Sequence, residues 1–165
     1  MASFKITGGK QLRGTIYPQG AKNEALQVIS ATLLTSQKVI IKKIPLIKDV
    51  ICLMELLKGL GVEINNISKN TYSFEAKKIK LEYLESELFK ENSQKIRASV
   101  MLVGPLLSRF GIAKLYPPGG DKIGRRRLDT HLIGLSDLGA NFTLKKKSFY
   151  KISAKKLTGT HLLLE

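Results

Sequence analysis

The sequence predicts a mixed α/β fold of the α+β kind, built from two copies of one helix–strand–helix–strand–strand unit. Three observations predict it. Ala25–Leu34 aligns with Ala98–Leu107 at an offset of about 73 residues. Two predicted helices end in Leu-Gly, at Gly61 and Gly139, about 78 residues apart. Each of these ends is followed by two short runs of strand-forming residues split by a polar turn. A repeat of this kind implies that each unit buries its helices against a shared sheet system.

Taken in order, Phe4–Ile6 and Leu12–Tyr17 read as short strands separated by the Gly8-Gly9 turn. Pro18-Gln19-Gly20-Ala21-Lys22-Asn23 is a glycine loop opening a helix in which Ala25, Val28, Ile29, Thr32 and Leu33 recur at helical spacing. Lys38–Ile44 is a β-branched strand closed by Pro45. The next helix, Ile47 to Leu60, buries Val50, Leu53, Met54 and Leu57 and stops at Gly61. Glu63–Ser68 and Thr71–Ala76 form a hairpin around Lys69-Asn70, and the acidic stretch Glu82–Asn92 is a connection with a short helix.

In the second copy, Gln94–Phe110 reads as one helix with Val100, Val103, Leu107 and Phe110 on a face and a kink at Pro105. Gly111 ends it and Ile112–Tyr116 is a strand. A helix from Leu128 to Leu138 buries Leu128, Leu132 and Leu135. Asn141–Leu144 and Phe149–Ser153 pair across a turn at Lys145–Ser148. Thr160–Glu165 starts a further strand and breaks off without turn or cap, so the chain reads as a fragment.

With 165 residues, 43% of them hydrophobic, one ordinary core is expected. There is no apolar run long enough to span a membrane, and Met1–Lys10 lacks the apolar segment of a signal peptide; the expectation is a soluble, cytoplasmic protein without a membrane partner. A single cysteine, Cys52, allows no intramolecular disulfide and falls on an apolar helix face, where a buried structural thiol is expected. The net charge of +15 raises nucleic-acid binding as a possibility. Against it, the lysines are scattered over turns and strand edges, where they deter aggregation, and no stacking platform of aromatics accompanies them. A solvated lysine-rich surface, with no nucleic-acid partner, is the better reading.

The most unusual stretch is Pro117 to Asp129. Two prolines and two glycines make a turn, Asp121 sits at its tip, and Lys122, Arg125, Arg126 and Arg127 crowd in before the next helix. Glycine lets backbone approach a ligand, and clustered guanidinium groups grip phosphate or carboxylate. A lone carboxyl group among such cations points to an anion site holding one acid/base group.

Four motifs carry a resemblance to a known family. They are Gly20-Ala21-Lys22-Asn23, Arg97-Ala98-Ser99, Gly104-Pro105-Leu106-Leu107-Ser108-Arg109-Phe110-Gly111, and the run from Pro118 through Asp121 and Arg126 to His131. Together, in this order, they resemble the UDP-N-acetylglucosamine 1-carboxyvinyltransferases, the enolpyruvyl transferases that commit the sugar nucleotide to peptidoglycan synthesis. The resemblance covers the whole chain and corresponds to the N-terminal portion of the longer family members. It implies the enolpyruvyl transferase inside-out α/β barrel of βαβαββ repeats, present here in part. Residues 1–20 would supply strands packing with the missing second domain, and 21–165 would be the first domain, with two repeats and the start of a third.

The resemblance also implies the partners and the reaction. Phosphoenolpyruvate and UDP-N-acetylglucosamine are the substrates, the remaining C-terminal part of the enzyme completes the site, and neither metal nor organic cofactor is needed because the substrate's enol phosphate supplies the reactivity. Lys22, Asn23, Arg97 and Arg126 match residues around the phosphoenolpyruvate anion. Arg127, Leu128, Asp129 and Thr130 match the segment along the uridine nucleotide. His131 belongs to the motif but reads as a buried, hydrogen-bonded histidine. Asp121 is the main departure: most of the family carries cysteine there as proton donor, the group alkylated by the epoxide fosfomycin, and a minority carries aspartate. An ordinary aspartate titrates at about 3.9 against about 8.5 for cysteine, so Asp121 would hold its proton only where bound phosphoenolpyruvate offsets the nearby cations. Met101, where many members have tryptophan, reads as core packing.

Two other readings stand beside this one. The shikimate-pathway enolpyruvyl transferase shares the fold and phosphoenolpyruvate, although Gly20–Asn23 and the Pro118–Asp121 loop favour the UDP-sugar enzyme. A basic non-catalytic module that binds nucleic acid would show steep salt-dependent retention on DNA.

Overall fold

The computed structural model describes residues 3–120, 124, 127–145 and 148–163. The two predicted units are both present. In the first, α1 (Lys22–Ala31) runs into a 3₁₀ turn at Thr32–Leu34, then β1 (Val39–Ile41), α2 (Lys48–Gly59), β2 (Glu63–Ser68) and β3 (Thr71–Glu75) follow. A 3₁₀ turn, Leu81–Glu85, and α3 (Glu87–Lys95) lead to the second unit. There a 3₁₀ segment, Arg97–Leu102, precedes α4 (Val103–Phe110), β4 (Ile112–Leu115), α5 (Asp129–Asp137), β5 (Asn141–Lys145) and β6 (Phe149–Ser153).

The sheets repeat each other in order and direction: β1-β3-β2 and β4-β6-β5, every pairing antiparallel. Equivalent positions do equivalent work. Phe74 and Ile152, on the two central strands, are both fully buried, and they face Ile64 and Phe142 across their hairpins. The helix ends repeat as well. Gly61 (φ 90°) and Gly139 (φ 99°) take the left-handed conformation, and Val62 and Ala140 each donate a backbone hydrogen bond to a carbonyl five residues back. Buried residues from both units form one continuous core.

The leucines Leu128, Leu132 and Leu135, expected to be buried, are half-buried against the core, and four expectations of secondary structure differ from the structure. Residues 3–20 join no strand ladder, and Phe4 (95% exposed) and Leu12 (93%) project into solvent. Their alternation suits a half-buried strand, but a strand is held by a partner, and none of the described residues supplies one. Strand Lys38–Ile44 is shortened to Val39–Ile41 because Lys43 turns left-handed (φ 59°). The helix expected over Gln94–Phe110 is split: Ile96 is extended and buried, a 3₁₀ segment follows, and Pro105 falls in the first turn of α4, where its missing N–H leaves no hydrogen bond unmade. Residues 160–163 form no strand. No helix among the described residues is long and apolar enough to cross a membrane.

The two units are also tied by one side chain. Arg109, near the end of α4, donates from Nη1 to the carbonyls of Leu33 (2.8 Å) and Thr35 (3.0 Å), where the first helix of the other unit ends. Its guanidinium lies 4.9 Å from the Phe110 ring centroid. These are charge-assisted bonds to carbonyls at the end of the 3₁₀ turn that follows α1. Arg109→Ala should lower the unfolding free energy by about 2 kcal/mol. Lys58→Ala, which removes an exposed pair with Glu55, should change it by less than about 0.5 kcal/mol. Equal urea midpoints for the two variants would show that Arg109 does not join the units.

Candidate active-site cleft

Four chain segments distant in sequence meet at a cleft of about 720 Å³. From α1 come Lys22 and Asn23, from the start of α2 Lys48 and Asp49, from the end of α3 and the 3₁₀ segment Lys95 and Arg97, and from the glycine loop and α5 Gly120, Leu128 and His131. Its apolar lining includes Leu26, Ile96, Val100 and Met101.

Local sequence explains how each group arrives. Gly20 packs so closely on the next segment that a Cβ there would lie 2.0 Å from the Lys43 carbonyl oxygen and 3.3 Å from Pro45. That contact brings the start of α1 beside the start of α2. Lys22 and Asn23 are the first two helical residues, and the N-cap is Ala21, so Asn23 does not cap the helix. The first backbone N–H groups of α1 therefore lie beside the cleft, a setting that favours an anion. Lys22 Nζ lies 3.1 Å from Asp49 Oδ2, with both side chains half exposed.

Buried Ile96 anchors the extended residue before Arg97 and thereby sets Arg97 at the cleft. Arg97 Nη2 donates to the Arg127 carbonyl at 3.2 Å. The glycine loop is pressed onto the same segment: a Cβ on Gly119 would lie 1.7 Å from the Gln94 carbonyl oxygen, and Gly120 is left-handed with φ 98°. Arg97 and this close approach hold both ends of the loop against the cleft. Among the described lining residues Lys22, Lys48, Lys95 and Arg97 stand against one carboxylate, Asp49, so this part of the site carries net positive charge.

The expected site residues divide as follows. Lys22, Asn23, Arg97 and Leu128 share this cleft. Arg127 and Asp129 pair with each other (Nε to Oδ2, 2.5 Å) and line, with Leu128, an adjoining pocket of about 490 Å³ walled by Tyr116, Phe149 and Tyr150. Thr130 faces a third, apolar groove with Val103 and Leu135. Asp121 and Arg126 lie outside the described residues. His131, expected to be buried, is exposed at the cleft, because it falls in the first turn of α5 away from the core. Cys52, expected to be buried, is half-buried and lines the cleft; its Sγ lies 3.6 Å from the Asn92 carbonyl, and burial pushes the thiol up while Lys95 pulls the other way. Met101 lines the cleft rather than only packing the core.

Lys48, Asp49 and Lys95 were not singled out from sequence. Lys48 looked like one more surface lysine, and its only signal was the Lys-Asp pair opening α2 two residues after Pro45-Leu46.

Residues 6–165 match the EPSP synthase family, described as 3-phosphoshikimate 1-carboxyvinyltransferase. The chain belongs to this family. Within it, the chain is 52% identical over 166 residues to a UDP-N-acetylglucosamine 1-carboxyvinyltransferase of Bacteroides fragilis, covering 100% of this chain and 38% of that protein. The protein of the same name from Porphyromonas gingivalis is also 52% identical, again over 100% of this chain and 38% of its own length. The chain thus spans well under half the length of these curated relatives. The enolpyruvyl transferase NikO from Streptomyces tendae superposes with a TM-score of 0.73 at 23% identity, over 92% of this chain and 32% of that one. The fold is therefore that of the enolpyruvyl transferases, present in part.

Proposed function

We propose that this chain is the N-terminal portion of an aspartate-loop UDP-N-acetylglucosamine 1-carboxyvinyltransferase, acting in the cytoplasm in peptidoglycan synthesis. The observation that carries the reading is the meeting of Lys22, Asn23, Arg97 and the Gly120 loop in one cation-lined cleft. Phosphoenolpyruvate carries a phosphate and a carboxylate, and such a cleft compensates both. In the reaction an acid protonates the methylene carbon while the sugar 3-hydroxyl, losing its proton to a base, attacks the adjacent carbon. The C–O bond to phosphate then breaks, the methyl group returns a proton, and the enolpyruvyl ether and inorganic phosphate leave. Asp121 is the acid in this scheme. Lys22, Arg97 and Arg126 hold the anion, Asn23 hydrogen-bonds beside it, and Arg127, Leu128, Asp129 and Thr130 form the nucleotide side. The base belongs to the remaining part of the enzyme. Residues 21–165 form the first domain, and the exposed apolar side chains of 3–20 pair with the rest of the protein.

A second reading, transfer to shikimate 3-phosphate, is favoured by the description of the matching family. The identity to relatives named for the UDP-sugar weighs against it. The test is a chimera in which these residues replace the matching segment of the Bacteroides fragilis relative. It should release phosphate only when phosphoenolpyruvate and UDP-N-acetylglucosamine are both present, while the 165-residue chain alone should release none, since groups from both sides of a cleft position the reactants. Turnover with shikimate 3-phosphate in place of the UDP-sugar would establish the second reading, and a folded chimera inactive with either acceptor would refute both.

A further inference from the structure

The cleft contains one feature that anion binding alone does not require: a carboxylate placed against its first cation. Asp49 is the sole acid among the described lining residues, and its Oδ2 lies 3.1 Å from Lys22 Nζ. The contact spans two helices. It exists because Gly20 packs on Lys43 and Pro45 and so sets the first turn of α1 beside the first turn of α2. Two helix N-termini and several cations converge here, so a carboxylate beside Lys22 offsets part of their positive charge.

We propose that Asp49 is a positioning residue for Lys22, acting as the resident counterion of the empty cleft. It holds the ammonium at the mouth and gives up part of that interaction to an incoming phosphate-bearing anion. This rests on the reading of Lys22 as an anion-binding residue. An ammonium has three donors, so Lys22 can keep one bond to Asp49 while turning others to the ligand. With both partners half exposed the pair is weak, which suits an interaction meant to be exchanged. Asp49 also sits in the first turn of α2, where any acid favours the helix dipole, so a purely helical role must be told apart.

The experiment follows Lys22 in the purified chain by reductive methylation and peptide mass spectrometry, with phosphoenolpyruvate and, separately, inorganic phosphate as protecting anions. Asp49→Asn should lower the concentration giving half protection by about two- to fivefold, because the competing carboxylate is gone. Asp49→Glu, which restores the charge, should return it to the parent value. A role in helix stability alone would lower the melting temperature of Asp49→Asn and leave protection unchanged. Protection equal to or weaker than the parent's in Asp49→Asn overturns the proposal, as does a Lys22 that neither anion protects. Protection by inorganic phosphate that tightens in Asp49→Asn, without any by phosphoenolpyruvate, supports the counterion role, and the enolpyruvyl transfer reading is then decided by the chimera.

Discussion

Asp121→Asn in the chimera should reduce turnover by roughly a hundredfold or more, with much smaller changes in the affinity for either substrate. In the proposed mechanism asparagine keeps the shape of the side chain and removes the transferable proton, while Lys22 and Arg97 remain to grip the anion. Gly120, the residue before Asp121, lines the cleft together with those two cations, and the resemblance to the family makes Asp121 the candidate acid. The sign of the pH dependence follows from the chemistry. A donor must be protonated to act, so activity falls as pH rises through its pKa in the complex. An aspartate donor should lose activity at lower pH than the Asp121→Cys variant does, given ordinary values of about 3.9 and 8.5. Fosfomycin opens its epoxide on a thiolate, and a carboxylate is a much weaker nucleophile. The parent should therefore resist inactivation, whereas Asp121→Cys should become sensitive and carry the adduct at residue 121. Near-full activity of Asp121→Asn, or alkylation of the parent at this residue, would remove Asp121 from the mechanism.

Gly119→Ala should be nearly as damaging. The added Cβ would stand 1.7 Å from the Gln94 carbonyl oxygen and 2.7 Å from its carbon, and both are backbone atoms that cannot swing aside. The loop must move away from the segment that presents Arg97. Misplacing a reacting group by about 1 Å costs on the order of a hundredfold in rate, so turnover should fall by about that factor. The melting temperature should drop only slightly, because the loop contributes little to the core. Activity within about threefold of the parent would mean that the close approach of Gly119 to Gln94 does not position the loop.

Much of the architecture was legible because it depends on short-range chemistry. Left-handed glycines after Leu60 and Leu138 stop helices wherever they occur, since only a residue without a Cβ enters that conformation freely. The hairpins Glu63–Ser68 with Thr71–Glu75 and Asn141–Lys145 with Phe149–Ser153 are marked by strand-forming runs and polar turns, and the repeat relates one to the other. Ile96 shows the converse. Its apolar character fits a helix equally well, and its extended conformation comes from burial against residues far away in sequence. Lys114 gave no signal at all: a lysine in a strand is buried because Glu85 pairs with its ammonium at 2.7 Å and the Phe149 ring lies beneath it.

For the site, it is the resemblance of the motifs to the family that nominates Lys22, Asn23, Arg97 and Leu128; residue chemistry alone says only that a lysine and an asparagine after a glycine loop at a helix start suit an anion. Which residues share a cleft is a matter of packing between distant segments. The contact of Gly20 with Lys43 pairs Lys22 with Asp49, and the bond from Arg97 to the Arg127 carbonyl ties α5 to the cleft, while Thr130 turns to an apolar groove. Helical periodicity fixes which residues of one helix lie on a common face, but it carries no information about which other helix that face will meet.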